Sequence, residues 1–97
     1  MYKLELSRQA LKDAVYLERA GLKNKAAELL KILRQNPFQT PPTYEKLTNR
    51  VDVYSRRINI KHRLVYRMEP NVEGQKDTQG NLYQGIVYVL RMWTHYD

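Results

Sequence analysis

The sequence predicts an α+β fold in the order β-α-α-β-β-β, with two N-terminal helices packed on a mostly antiparallel sheet. Three observations point to it. Residues 8 to 35 carry two apolar stripes at helical spacing, separated by Gly21. Residues 51 to 68 and 86 to 93 are β-branched and aromatic runs of strand type. The 97 residues suffice for one domain, 1–97, and for no second one.

Tyr2-Lys3-Leu4-Glu5-Leu6 alternates and reads as a first strand, with Ser7 as the cap of a helix directly after it. From Arg8 to Ala20, Leu11, Ala14, Val15 and Leu17 form an apolar stripe that Gly21 ends. A second helix from Leu22 to about Gln35 has apolar residues at 22, 26, 29, 30 and 33 and stops at Asn36 and Pro37. NPFQTPPTYEKL holds three of the four prolines, which makes it a loop crossing the molecule. VDVYSRRINI and KHRLVYRM form an antiparallel hairpin turning near Asn59 to Lys61. Residues 70 to 85 carry three of the four glycines and make a long exposed connection. IVYVLRMW, 86 to 93, is continuously apolar, as a central strand buried on both faces would be.

Composition removes several kinds of chemistry. With 42% hydrophobic and 28% charged residues the chain has the make-up of a globular domain. The absence of cysteine excludes disulfides, thiolate metal sites and a cysteine nucleophile, and a reducing cytoplasm fits it. No apolar stretch approaches the roughly 18 residues of a membrane span, and the N-terminus lacks a signal-peptide core. No glycine-rich phosphate loop, HExxH or ligand-spaced His and Asp pair is present, so neither cofactor nor metal is expected. What remains is acid and base chemistry from His95, His62, a few carboxylates and the arginines.

The net charge of +7 is concentrated. Lys46, Arg50, Arg56, Arg57, Lys61, Arg63 and Arg67 stand against Asp52 alone, so residues 46 to 67 sum to +6 and the rest of the chain to +1. A patch of this kind suits a polyanion, while a sheet edge defended against aggregation would also explain it. Alternation places Arg63 and Arg67 on one face, and one of Arg56 and Arg57 joins them across from Arg63. Guanidinium forks bind phosphate bidentately. A nucleic-acid strand or an acidic protein fits such a face equally well. Tyr44, Tyr54 and Tyr83 offer base stacking, a role that competes with ordinary half-buried sheet positions. If the polyanion is RNA, Arg56, Lys61, Arg67 and Tyr44 are the expected contacts, with His62 structural or a weak contact.

PFQTPPTYEKL, then YSRRINIKHRLVY, then a terminal strand closing on THYD resemble, in this order and over essentially the whole chain, the YoeB/Txe group of the RelE toxin superfamily. The resemblance implies a small RelE-like fold and a ribosome-dependent mRNA endonuclease (an mRNA interferase) that inhibits translation. It implies Glu45 as the general base on a ribose 2′-hydroxyl and His95 as the general acid on the 5′-oxygen. Arg63 with Arg57 would hold the scissile phosphate, and Tyr96 would position the RNA. The products would be a 2′,3′-cyclic or 3′-phosphate and a 5′-hydroxyl. Because RNA carries its own nucleophile beside the phosphorus, a base, an acid and cations suffice without a metal. Asp97 lies two residues from His95 and would favour its protonated form.

The implied partners are an acidic antitoxin of the YefM/Axe type, the ribosome with its mRNA, promoter DNA for the toxin–antitoxin complex, and room for a homodimer, in the cytoplasm. A ParE-like topoisomerase inhibitor or an inactive RNA-binding relative on the same scaffold is the alternative. Glu45, Arg57, Arg63 and His95 together favour the nuclease. Thr43-Tyr44-Glu45-Lys46-Leu47 departs from the Lys-Pro-Glu-X-Leu of many relatives, the 70 to 85 connection is longer, and Asp97 follows the customary His-Tyr.

Overall fold

The computed structural model of the protein describes residues 1–93, and Thr94 to Asp97 lie outside the described residues. The alternating N-terminal segment forms β1, Lys3–Leu6. Ser7 then does two jobs: its Oγ accepts the Ala10 N–H at 3.0 Å to cap α1, Arg8–Arg19, and donates to the Leu90 carbonyl at 2.8 Å. The first helix is thereby tied to the last strand. Gly21, at φ +75°, closes α1, with the Leu22 N–H reaching the Leu17 carbonyl and the Gly21 N–H that of Glu18.

The buried face of α1 differs from the expected stripe. Ala10, Asp13 and Leu17 are buried, whereas Leu11 and Val15 are 58% and 48% exposed. Asp13 displaced the apolar reading: its Oδ1 accepts from Gln9 at 2.8 Å and its Oδ2 from the Met92 N–H at 2.9 Å. A hydrogen-bonded carboxylate can be buried where a hydrophobic pattern does not look for one. The second helix, α2, Lys23–Gln35, buries Ala26, Leu29 and Leu33 as its spacing predicts.

The proline-rich loop ends in a short strand that the sequence does not reveal, β2, Tyr44–Lys46. It pairs with β3, Val53–Arg57, which forms the expected hairpin with β4, Arg63–Glu69. The Asn59 side chain shapes the turn, its Oδ1 accepting the N–H groups of Lys61 and His62. The connection after β4 folds on itself around Asn71 and Asp77, with a bridge between Lys76 and Leu82. Gly85 ends it where an added Cβ would meet the Tyr2 ring at 3.1 Å and the Glu69 carbonyl at 3.2 Å.

The last strand, β5, Ile86–Arg91, enters the middle of the sheet, whose order is β1-β5-β4-β3-β2. It runs parallel to β1 and antiparallel to β4, and the other pairings are antiparallel. One face of the sheet packs Leu64, Tyr66, Val87, Val89 and Met92 against Ala10, Leu17, Ala26, Leu29 and Leu33 of the helices. The opposite face carries Arg57, Arg63 and Arg67. The expected α+β architecture is the observed one, with β2 added. Among the described residues no helix is long and apolar enough to cross a membrane.

Candidate functional site

The open face is assembled by register. Glu45 on β2 is the partner of Ser55 on β3, and Ser55 is the partner of Val65 on β4. Arg57 stands opposite Arg63, one alternation further along the same face. Edge strand, hairpin and alternation therefore bring Glu45, Arg57 and Arg63 together around a cleft of about 290 Å³, also lined by Ser55, Pro42, Thr43 and Lys25.

Arg63 is the centre of the cleft. Its Nη1 lies 3.6 Å from Glu45 Oε2 and donates to Ser55 Oγ at 3.1 Å. Ser55 is buried and aims the guanidinium from below, whereas the Glu45 side chain is 61% exposed. An ion pair this open contributes little to stability. It leaves a carboxylate accessible for proton transfer and a guanidinium fork that an entering phosphate can take over. Arg57 is exposed at the rim. Among the described residues no three His, Asp or Glu side chains cluster as metal ligands.

The two adjacent arginines have opposite fates. Arg56, expected to touch RNA, is 1% exposed and points to the helix side of the sheet. Its guanidinium donates to the carbonyls of Pro42 at 2.6 Å, Pro37 at 2.9 Å and Gln39 at 2.9 Å. Tyr66 Oη donates to the same Pro37 carbonyl at 2.8 Å, and burial, its leading cause, pushes the phenol pKa above its usual value. Arg56 thus staples the proline loop to the sheet and so positions the strand that presents Glu45. It is a structural cation, not an RNA contact.

Tyr44, its cross-strand neighbour, also turns away from Glu45. Its ring packs against Tyr54 at 5.8 Å and Phe38 at 6.0 Å with Arg56 over it at 5.0 Å, so the expected stacking surface is occupied within the protein. Tyr54 is engaged likewise, stacked on Tyr66 at 5.7 Å. Lys61 is exposed at the hairpin tip. Arg67 lies on the open face, paired with Glu69 at 2.8 Å and set over the Tyr88 ring at 5.3 Å. Burial first, then the Glu5 carboxylate, hold the Tyr88 phenol above its usual pKa.

His95 and Tyr96 lie outside the described residues. The chain leading to them is held as far as Trp93, whose ring stacks on buried His62 at 4.0 Å and packs against Tyr16 at 5.4 Å. Burial under the indole makes His62 a structural residue.

Three residues at the cleft or on the open face were missed by sequence reasoning. Ser55 shares a face with Arg57 by simple alternation, a signal present in the sequence. Lys25 reaches the cleft from α2, which no local pattern announces. Arg91 sits opposite Val65 because the β4–β5 register shifts between Val65 and Tyr66, leaving Leu90 as an extra residue. Such a bulge turns Arg91 from the helix side to the open side.

Comparison with known proteins gives a concordant result. The model of the YoeB-like toxins of bacterial type II toxin–antitoxin systems matches residues 6–79. A YoeB dimer from Staphylococcus aureus superposes with a TM-score of 0.70 at 30% identity, over 98% of each chain. The YoeB–YefM complex from Staphylococcus aureus gives a TM-score of 0.67 at 29% identity, over 99% of each chain. A YoeB/ParE toxin from Agrobacterium tumefaciens, at 24% identity and over 97% of this chain and 99% of its own, shares the fold with a TM-score of 0.73. No curated protein sequence matches. The chain belongs to the YoeB-like toxins of bacterial type II toxin–antitoxin systems.

Proposed function

We propose that this toxin is a ribosome-dependent, metal-independent endoribonuclease that cuts mRNA by attack of a ribose 2′-hydroxyl on the adjacent phosphorus. The convergence of Glu45, Arg57 and Arg63 on one open cleft carries the reading. Glu45 takes the 2′-hydroxyl proton. The guanidinium groups of Arg63 and Arg57 bind the non-bridging oxygens and offset the charge that grows there, and Ser55 keeps the Arg63 fork in position. His95 protonates the departing 5′-oxygen and Tyr96 positions the RNA. The anchoring of Trp93, two residues before His95, supports a terminus able to present these groups.

An acidic antitoxin neutralises the toxin by covering the basic face, and the pair binds promoter DNA. The solved YoeB–YefM complex supports an antitoxin partner, and the solved YoeB dimer supports a homodimer as a state to measure. The test is primer extension on a defined mRNA translated by purified ribosomes, comparing wild type with Glu45→Gln and His95→Gln. Cuts at ribosome-occupied codons in wild type alone are expected. Folded wild-type protein that leaves the mRNA intact overturns the nuclease reading and makes DNA topoisomerase the next target to assay.

A further inference from the structure

We propose that Arg91 binds the RNA phosphate next to the one that is cut, an assignment that rests on the nuclease reading above. Register places Glu45, Ser55, Val65 and Arg91 in one row across four strands of the open face. At strand spacings of about 4.8 Å the row is roughly 14 Å long between the Cα atoms of Glu45 and Arg91. Arg63 lies beside it, two residues along β4 from Val65 and diagonal to Arg91 at the roughly 7–8 Å of such cross-strand neighbours. Buried Val65 and Ser55 form the floor between the two ends. An RNA strand whose scissile phosphate sits on Arg63, with its 2′-hydroxyl toward Glu45, runs along this row, and its next phosphate meets Arg91.

The state of the guanidinium supports the assignment. Arg63 is paired with Glu45 and Ser55, Arg67 with Glu69, and Arg56 with three carbonyls. Arg91 is half-buried, and its side chain makes no hydrogen bond or ion pair among the described residues. Its Nε is buried without an acceptor, as are those of Arg56 and Arg67, whose other guanidinium nitrogens are paired. A protein ordinarily satisfies such a donor, and a cation left unpaired on a face with three more arginines is stabilised by an incoming anion. The bulge that puts Arg91 there is a local irregularity of the kind that re-aims one side chain next to a site.

The experiment measures kcat/KM for cleavage of ribosome-bound mRNA by wild type, Arg91→Ala and Arg91→Lys as a function of salt. The mRNA carries either native linkages or one neutral methylphosphonate on the 5′ or the 3′ side of the cut. Arg91→Ala is expected to lose about tenfold, largely in KM, as one charge-assisted contact is worth. The salt dependence should fall by about one phosphate's share, with Arg91→Lys recovering most of it. One of the two neutral linkages should cost wild type the same factor and cost Arg91→Ala nothing.

Wild type that cleaves, with Arg91→Ala indistinguishable from it, overturns the assignment and leaves the nuclease reading standing. Additive losses from Arg91→Ala and both neutral linkages do the same, because the residue would then act elsewhere. An Arg91→Ala protein that cleaves normally but loses affinity for polyglutamate assigns the residue to acidic protein chains instead. Wild type without cleavage removes the nuclease reading and this assignment together.

Discussion

Replacing Arg56 and Arg57 one at a time by alanine should separate folding from chemistry at adjacent positions. Without Arg56 the Pro42 and Gln39 carbonyls lose their donor, at about 1.5 kcal/mol each for part-buried acceptors of a charged group. Pro37 keeps Tyr66, so its share is about 0.5 kcal/mol, and the space left by the buried stem adds about 1 kcal/mol. The sum, about 4.5 kcal/mol, is a large part of the 5–15 kcal/mol that stabilises a domain of ordinary size. It corresponds to a fall in Tm of roughly 18–36 °C.

Arg57→Ala, at an exposed site, should change stability by less than about 0.5 kcal/mol while reducing cleavage. Thermal unfolding followed by circular dichroism reads both. The Arg56→Ala, Tyr66→Phe double variant should lose more than the two single losses combined, because only then is Pro37 left without a donor. An Arg56→Ala protein melting within a few degrees of wild type, or an Arg57→Ala protein that is equally destabilised, refutes this account of the loop staple.

Other expected outcomes rest on the same geometry. Glu45→Gln should leave Tm within a degree or two, since its ion pair is exposed, and lower the cleavage rate by about 10²–10⁴ in single-turnover assays. Asp13→Ala should cost about 2 kcal/mol through the unmet Met92 N–H and reduce cleavage as well, while Asp13→Asn, which keeps an acceptor, should retain most of both in paired melting and cleavage measurements. The Asp77 carboxyl is held below the usual carboxylate pKa, first by the Asn81 N–H and then by that of Gln79. Its charged form therefore adds stability above the unfolded pKa of about 4, and this is lost as pH falls through the lower folded value. The Tm advantage of wild type over Asp77→Ala should accordingly shrink as melts are taken from pH 6 down to pH 3, and a gap that stays constant contradicts it. Gly85→Ala should destabilise by about 1–2 kcal/mol in urea unfolding, because the added methyl presses on the Tyr2 ring and the Glu69 carbonyl.

What the sequence made legible was whatever repeats with a regular period. The buried stripe of α2 and the placing of one of Arg56 and Arg57 across from Arg63 come from spacing alone. Where a local irregularity sets the phase, the pattern misleads. Extrapolating the alternation of IVYVL puts Arg91 with the core, and one extra residue at Leu90 reverses that. The dipeptide Arg56-Arg57 states that one side chain faces each way without saying which, and the carbonyls of a proline-rich loop decide it. Asp13 was hidden for a related reason: its partner, the Met92 N–H, is 79 residues away. Tyr44 looked like a stacking platform because its neighbours, Phe38 from the loop and Tyr54 and Arg56 from β3, are not adjacent to it in sequence.

The place of β5 in the sheet has a consequence for how the molecule comes into being. Strand β1, the first to be synthesised, has β5 as its sheet partner, and β4 needs β5 to complete its own pairing. Until residues 86–91 have left the ribosome, the chain holds two unjoined pieces: β1 with the helices, and the β2–β4 ladder. Contacts this distant along the chain form late. Arg91 reaches the open face only when that final strand docks, and the same event fixes Met92 against Asp13. A chain released before residue 86 would therefore lack the strand that joins β1 to β4.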